Sequence, residues 1–480
     1  MPKPRPAAPS RARLLLGLTL PGTVLSGLAL SGLAASGLAL ASPATDLFQA
    51  ASTVLTSNYF GWSLTDRPAL VSQYAAALGT QCAPLGDACT FDQGRAVVKD
   101  MLAQMHDAHT SVRDAEGAER LREVQQDLTV PRTGLRVVKT PLGLLVVGVL
   151  PGSPAEAAGV LRFDLLTAVN GQATGEGKPG SALPLAPAAP VAPAASAAQA
   201  AQAAPFDSAA FVRLERLAAP VQVSLLRAGQ PSRPLTLTTA PMKARDVPIL
   251  GWQQTPAGRV AVIQYPTFLP ADSAELFLKT LRQAQDDGAA GLVVDLRYNG
   301  GGRLDQCVQA ASAFAPTYYQ ARTAQDSRGR QNSWDYAAVG GLNSSPDRVR
   351  RLFASGGAPQ ALWHGPAAIL MDENTASCAE VFGYFAHQAG AVLVGQPTKG
   401  VMNSGVTFFP LPDQGVMSVT MLRAYDMAGN PLPDHLQPDL DVPADLGALT
   451  GQGQDTALQA ALGAVQSRLA GAASVGTPGR

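Results

Sequence analysis

Charge is what this sequence has least of. Only 15% of its 480 residues are Asp, Glu, Lys or Arg, and 36 basic side chains balance 36 acidic ones, so the formal net charge is zero. Nucleic-acid binding calls for a basic excess or a basic stripe, and with neither in the sequence nucleic acid drops out as a partner. Metal-ligand spacing is missing too. The five His and four Cys are scattered, without a Cys-x-x-Cys or His-Glu-x-x-His pattern, so neither a metal nor a cofactor is implied. What the chain has in quantity is Ala, Gly and Pro, part of it concentrated in one low-complexity stretch. The length allows two to four domains and a sizeable core.

The N-terminus reads as an export signal over residues 1–41. Lys3, Arg5, Arg11 and Arg13 precede a long apolar run, and Ala39-Leu40-Ala41 offers a small-residue cleavage site. The run is also long enough to span a bilayer, so a retained anchor is the competing reading, and a membrane is a partner only in that case. On both readings the folded part lies outside the cytoplasm, in the periplasm, in the cell envelope or secreted. An oxidising compartment suits a disulfide between Cys82 and Cys89, which bracket the loop APLGDA. Cys307 falls in an apolar helical pattern and reads as a small buried hydrophobe.

Four further regions follow the signal. Residues 45–115 form a helical cap, with apolar residues at i, i+3, i+4 spacing in DLFQAASTVLTSNYF and RAVVKDMLAQM. Residues 133–242 switch to short strands and turns. The uncharged Ala/Pro-rich stretch 176–205 inside them has no usable period and reads as a disordered insertion. Residues 247–446 alternate apolar strands such as GLVVDLR and AAILMD with helices such as SAELFLKTLRQAQDDG and AEVFGYFAHQAG, the pattern of a parallel α/β core. Residues 447–480 close the chain with an amphipathic helix and a tail.

Two segments carry chemistry. GLVVDLRYNGGG at 291–302 runs a buried-type strand into three glycines, whose backbone N–H groups can approach a ligand closely. TASCAEVF at 375–382 puts Ser377 where a strand ends and a helix begins, a position whose free amides favour developing negative charge. The plainer reading is that Thr375 or Ser377 only caps the helix. Taken together, the two segments point to acyl transfer at a serine.

VVDLRYNGGG, TASCAEVF, and VGQPTKG followed by HLQPDLDV resemble the C-terminal processing (tail-specific) serine peptidases and their tricorn-like relatives. TGLRVVKTPLGLLVVGVLPGSPAEAAGVLRFDLLTAVNGQ resembles a PDZ domain, in which TGLRV would be the carboxylate-binding loop. The resemblance implies a crotonase-like catalytic core with an inserted PDZ domain, acting on protein or peptide substrates whose C-terminal tails the PDZ domain would bind. It assigns Ser377 as nucleophile rather than its neighbour Cys378, and an oxyanion hole from the backbone of Gly300 or Gly301 plus Cys378. Asp295 and Arg297 lock the strand end, and Asn299 shapes the turn by tolerating left-handed backbone geometry.

The base is where the sequence departs from the family. The lysine of the Ser–Lys branch would stand where this chain has Val401, Lys399 lies two residues early, and the acidic partner of the helix end appears as Gln388. The tricorn-like branch uses a histidine ahead of the PDZ domain, and His109 in MHDAHTSV resembles it. A neutral imidazole titrates in the range useful to a base, and activity would then fall below a pH of roughly 6–7. Asp434, beside His435, falls near that branch's acid, although the local pattern differs. The resulting expectation is an exported serine endopeptidase with Ser377 and His109 at its centre. The alternative is a catalytically silent PDZ scaffold that has lost its base. Deleting residues 178–203 is expected to leave the melting temperature almost unchanged, because long loops add closure entropy only slowly. A large drop in a thermal melt would mark the segment as structural.

Overall fold

A computed structural model of the chain describes residues 42–176, 206–355 and 361–475, with side chains to residue 471. The expected signal segment lies outside the described residues, as do residues 177–205 of the Ala/Pro-rich stretch and residues 476–480 of the tail.

Three helices open the described chain: Pro43–Asn58, Arg67–Cys82 and Phe91–Ala103. The first and third start on capping boxes, Ser42 with Thr45 and Thr90 with Gln93, which satisfy amides that a helix start leaves unpaired. Their apolar faces meet in one cluster around Leu47, Leu55, Val98 and Met101, and a disulfide joins Cys82 to Cys89. The last helix stops at Ala103, and His106 takes a left-handed φ of 50°. His106 and His109 therefore do not share a helical face.

Next comes an antiparallel sheet in the order Leu135–Thr140, Gly143–Val149, Leu165–Val169, Val221–Leu226, Arg233–Leu237. Leu135–Thr140 forms one edge of it. Phe211, from the Ser208–Arg216 helix, and Ala155, from the short Pro154–Ala157 helix, fill its core with Leu144, Val146 and Leu166.

The largest core surrounds a mixed sheet in the order Ile249–Thr255, Gly258–Gln264, Gly291–Asp295, Ala367–Met371, Val392–Gly395, Leu440–Asp441. From Gly258 onward its neighbours are parallel, whereas the first two strands pair as an antiparallel hairpin. The four inner strands are buried on both faces. Ile263, Val294, Ile369 and Leu393 face the helices Ser273–Asp286, Leu304–Ala311 and Cys378–Gln388, while Val262, Val293, Leu370 and Val394 face the last helix, Thr456–Val475, through Ala457, Ala461 and Val465. Such continuous apolar strands are what a sheet covered on both sides requires.

A further antiparallel sheet was not anticipated from periodicity. Its order is Ser111–Arg113, Val416–Tyr425, Thr317–Gln325, Gln331–Val339, Leu342–Asn343, with Ser404–Pro410 also paired to Val416–Tyr425. Its strands from the C-terminal half run between buried and exposed stretches and mix polar with apolar residues, so they lack a continuous apolar run. This sheet binds the segment after His109 to the C-terminal half, with Ser111 opposite Ser418.

One buried ion network joins the middle sheet to the core. The Asp295 carboxylate, at the end of its strand, receives Arg162 at 2.7 Å and Arg297 at 2.7 Å, and Arg297 also holds Asp455 at 2.8 Å. Burial alone would raise the Asp295 pKa, but the two guanidinium groups and their hydrogen bonds outweigh it and hold the carboxyl well below its ordinary range. Asp295→Ala would leave Arg162 without its ionic partner and Arg297 with Asp455 alone. It should cost about 3–5 kcal/mol in a urea unfolding measurement. The wild-type contribution is present above the ordinary carboxylate range and fades as pH falls through it toward the lowered folded value.

Candidate functional site

The site lies where the Gly291–Asp295 and Ala367–Met371 strands end side by side. Beyond the first, Tyr298 takes φ 63°, followed by Gly301 at 90° and Gly302 at 152°. The left-handed residue is therefore Tyr298, not Asn299. Asn299 shapes the turn differently: fully buried, its side chain donates to Tyr265 O (2.7 Å) and accepts from Gly301 N (2.9 Å), and its carbonyl accepts from Ala376 N (2.9 Å). A Cβ on Gly301 would lie 2.7 Å from Ala376 O and 2.8 Å from Cys378 N. Only glycine allows the turn to press against the backbone around Ser377.

Ser377 occupies the N-cap of the Cys378–Gln388 helix with φ 56° and ψ −118°, a strained geometry for a residue with a side chain. No full hydrogen bond holds its hydroxyl, which makes only a loose approach to the first turn of the helix. Its amide donates to Glu380 Oε2 at 2.6 Å. The same fully buried carboxylate accepts from Thr398 Oγ1 (2.6 Å), Gly400 N (2.9 Å) and Val401 N (3.1 Å). Burial raises the Glu380 pKa, against the pull of these donors. Glu380 is thus the residue that ties the serine turn to the GQPTKGVM turn. The sequence reading passed over it, although a capping-box spacing of Ser followed three residues later by Glu was there to be read.

Of the expected oxyanion donors, Gly301 has its amide committed to Asn299 Oδ1, while no hydrogen bond engages the amides of Gly300 and Cys378. Cys307 and Cys378 are disulfide-bonded, with Cα atoms 5.5 Å apart. This corrects the reading of Cys307, which is not a solitary small hydrophobe, and it leaves Cys378 without a free thiol.

His109 lies in the segment that leads into Ser111–Arg113. Its amide donates to Asp107 Oδ1 (3.0 Å), its carbonyl accepts from Ser418 Oγ (2.8 Å), and Nδ1 is 2.8 Å from Ser404 Oγ. Burial pushes its pKa down to about 4, against the opposing charge of Asp107. No hydrogen bond joins His109 to Ser377. The two are connected through Ser404, whose hydroxyl approaches Val401 O at 3.4 Å, and then through Val401 N and Glu380. Ser404 was not foreseen, since nothing in VMNSGVTFF distinguishes it. The Lys399 side chain is exposed, with its backbone amide on Thr375 O (2.9 Å), and Val401 is buried. Asp434 is exposed and pairs with its neighbour His435 (2.8 Å) rather than with His109. Asp434, Ser404, Gly400, His106 and Asp107 line one open cleft.

Residues 259–442 match the model of peptidase family S41. A carboxyl-terminal-processing protease of Picosynechococcus sp. (strain ATCC 27264 / PCC 7002 / PR-6) is 26% identical over 351 residues, covering 70% of this chain and 69% of that protein. The carboxy-terminal processing protease CtpA of Bacillus subtilis (strain 168) is 21% identical over 304 residues, which are 63% of this chain but only 54% of that protein. The solved structure of mature CPAF aligns over 90% of this chain and 99% of that one with a TM-score of 0.50 and 13% identity, a likeness of fold.

Glu380→Ala is expected to strand its buried donors and lower stability by at least ~2 kcal/mol, seen as an earlier thermal or urea transition. Glu380→Gln, which keeps one acceptor oxygen, should lose less.

Proposed function

Because this chain belongs to peptidase family S41 and is a serine-type peptidase, we propose that Ser377 is its nucleophile and His109 its base. Gly300 and Cys378 supply the oxyanion hole. One observation carries this reading: a serine hydroxyl with no full hydrogen bond, on a strained helix N-cap next to the unengaged Cys378 amide and against the glycine turn that holds the unengaged Gly300 amide. In the reaction Ser377 Oγ attacks the peptide carbonyl carbon and gives its proton to the imidazole. The carbonyl oxygen takes the negative charge between the two amides. The protonated imidazole then hands the proton to the departing amine, and water releases the acyl group by the same steps.

The His109 ring is set for this role by Ser404. With Nδ1–H donating to Ser404 Oγ, Nε2 remains bare to accept a proton. Contact between imidazole and serine is left for the bound state, as catalytic hydrogen bonds commonly tighten only with substrate. Lys399 is a poor candidate, since its side chain is exposed. A silent scaffold is not favoured, because a base other than the missing lysine is at hand.

Within this reading residues 247–446 are a crotonase-like peptidase core, residues 45–115 a helical cap and residues 133–242 a PDZ-like module. The module's edge strand, Leu135–Thr140, has an open side along which an extended C-terminal tail can add as a further strand. The substrates are proteins or their tails in the cell envelope, reached by export.

A fluorophosphonate probe should label Ser377 in the folded protein. Ser377→Ala should abolish labelling and cost several orders of magnitude in peptidase rate without unfolding the chain. His109→Ala should lower kcat by about 10²–10⁴-fold, with Lys399→Ala near wild type; the reverse pattern would discard the histidine. The base must be neutral to work, so activity persists above its pKa and is lost as pH falls through it. With that pKa at about 4, the acid limb of the rate profile belongs there rather than at the 6–7 expected of an exposed imidazole.

A further inference from the structure

The two amides assigned to the oxyanion hole belong to separate pieces of chain. Gly300 opens the glycine turn that leads directly into the Leu304–Ala311 helix, and Cys378 is the first residue of the Cys378–Gln388 helix. The disulfide between Cys307 and Cys378 crosses between these two helices, with both cysteines fully buried. The geometry points to Cys307 as a positioning residue: through its bond to Cys378 it fixes the Cys378 amide against the glycine turn, so that the two oxyanion donors keep one spacing. This rests on the reading of Ser377 as nucleophile.

Other contacts set the turn and the serine separately. Asn299 fastens the turn to Tyr265 O, and Glu380 fastens the Ser377 amide. Ahead of the serine, Ala376 N donates to Asn299 O, Thr375 Oγ1 to Leu296 O and Tyr298 N to Asp372 Oδ1, and Gly301 packs on the backbone of Ala376 and Cys378. Beyond the serine, the disulfide is a covalent tie at the very residue whose amide must face the developing charge. A donor that is free to shift loses most of its value, because an oxyanion hole works by being arranged in advance.

Peptide mapping of the alkylated, non-reduced protein should recover a peptide pair linked through Cys307 and Cys378; recovery of both as alkylated thiols would overturn the proposal. Cys307→Ala should then lower kcat about 10- to 100-fold while KM for a peptide substrate stays within about twofold. Inhibition by a peptide aldehyde, whose adduct puts an oxyanion in the hole, should weaken in step with kcat. A merely structural disulfide would lower the melting temperature and leave kcat and aldehyde affinity unchanged below it, and that result rejects the idea. If Cys307→Ala does not fold, the same measurements on otherwise wild-type protein carrying Cys82→Ser and Cys89→Ser, before and after reduction with a phosphine, replace it. Full activity after confirmed reduction is the overturning outcome there. Retained activity in Ser377→Ala would instead strike the nucleophile assignment itself, whatever Cys307 does.

Discussion

The buried carboxylate of Glu380 is the constraint on which the site's geometry depends. A carboxylate taken out of water is expensive unless its oxygens are fully satisfied. Here the satisfaction comes from the backbone of Ser377, Gly400 and Val401 and the hydroxyl of Thr398. Each donor can reach it only if its own turn adopts one conformation. The cost of burying the charge thus makes alternative arrangements of both turns unfavourable. That includes the positive φ of Ser377, which no isolated helix start would choose. The strain at the serine is held in place by a group that need never touch substrate.

A second buried carboxylate works at longer range. Asp295 ends the strand that leads into the glycine turn, and it draws Arg162 from the turn before the Leu165–Val169 strand of the middle sheet and Arg297 from its own loop. Arg297 continues to Asp455, beside the start of the C-terminal helix. Arg136, on the edge strand of the middle sheet, also donates to Tyr298 O within the turn. The turn that would supply an oxyanion donor is consequently held by both the middle sheet and the final helix. A network of this kind stabilises little compared with an apolar equivalent, but removing one member is severe, and it therefore fixes arrangement more than it adds stability.

How much of this was legible follows from which interactions are local. The strand-to-glycine and strand-to-serine junctions are local patterns, and GLVVDLRYNGGG and TASCAEVF gave away the strand ends, the turn and the helix start. Cys82 and Cys89 bracket a short loop, so their bond was also readable. The Cys307–Cys378 bond joins residues 71 apart, and nothing in an apolar helical pattern says that its cysteine faces another. Asn299 was read from its backbone tolerance when its side chain does the work, because the acceptor that holds that side chain, Tyr265 O, lies 34 residues earlier in the chain. The sheet that carries the strands around residues 317–339 and 404–425 went unseen because its strands mix polar and apolar residues without a clean period. His109 was visible only through a resemblance, and its partner Ser404, 295 residues away, through nothing at all.

The choice of a serine rather than an acid beside His109 has a consequence for the chemistry. An aspartate on Nδ1 would stabilise the imidazolium and raise its pKa, making a stronger base that is protonated at a higher pH. A hydroxyl orients the ring but, being both donor and acceptor, constrains the tautomer less than a carboxylate would, and it contributes no charge. Burial then dominates, and the imidazole falls to about 4, with only Asp107 opposing. In the proposed role of base, the imidazole would stay neutral far into acid and, once protonated, be a strong acid toward the departing amine. In that role it would pull less on the Ser377 hydroxyl in the ground state, and more of the barrier would fall to the proposed oxyanion donors. A site built this way has reason to hold its Gly300 and Cys378 amides rigidly, and it is at Cys378 that the chain places a covalent bond.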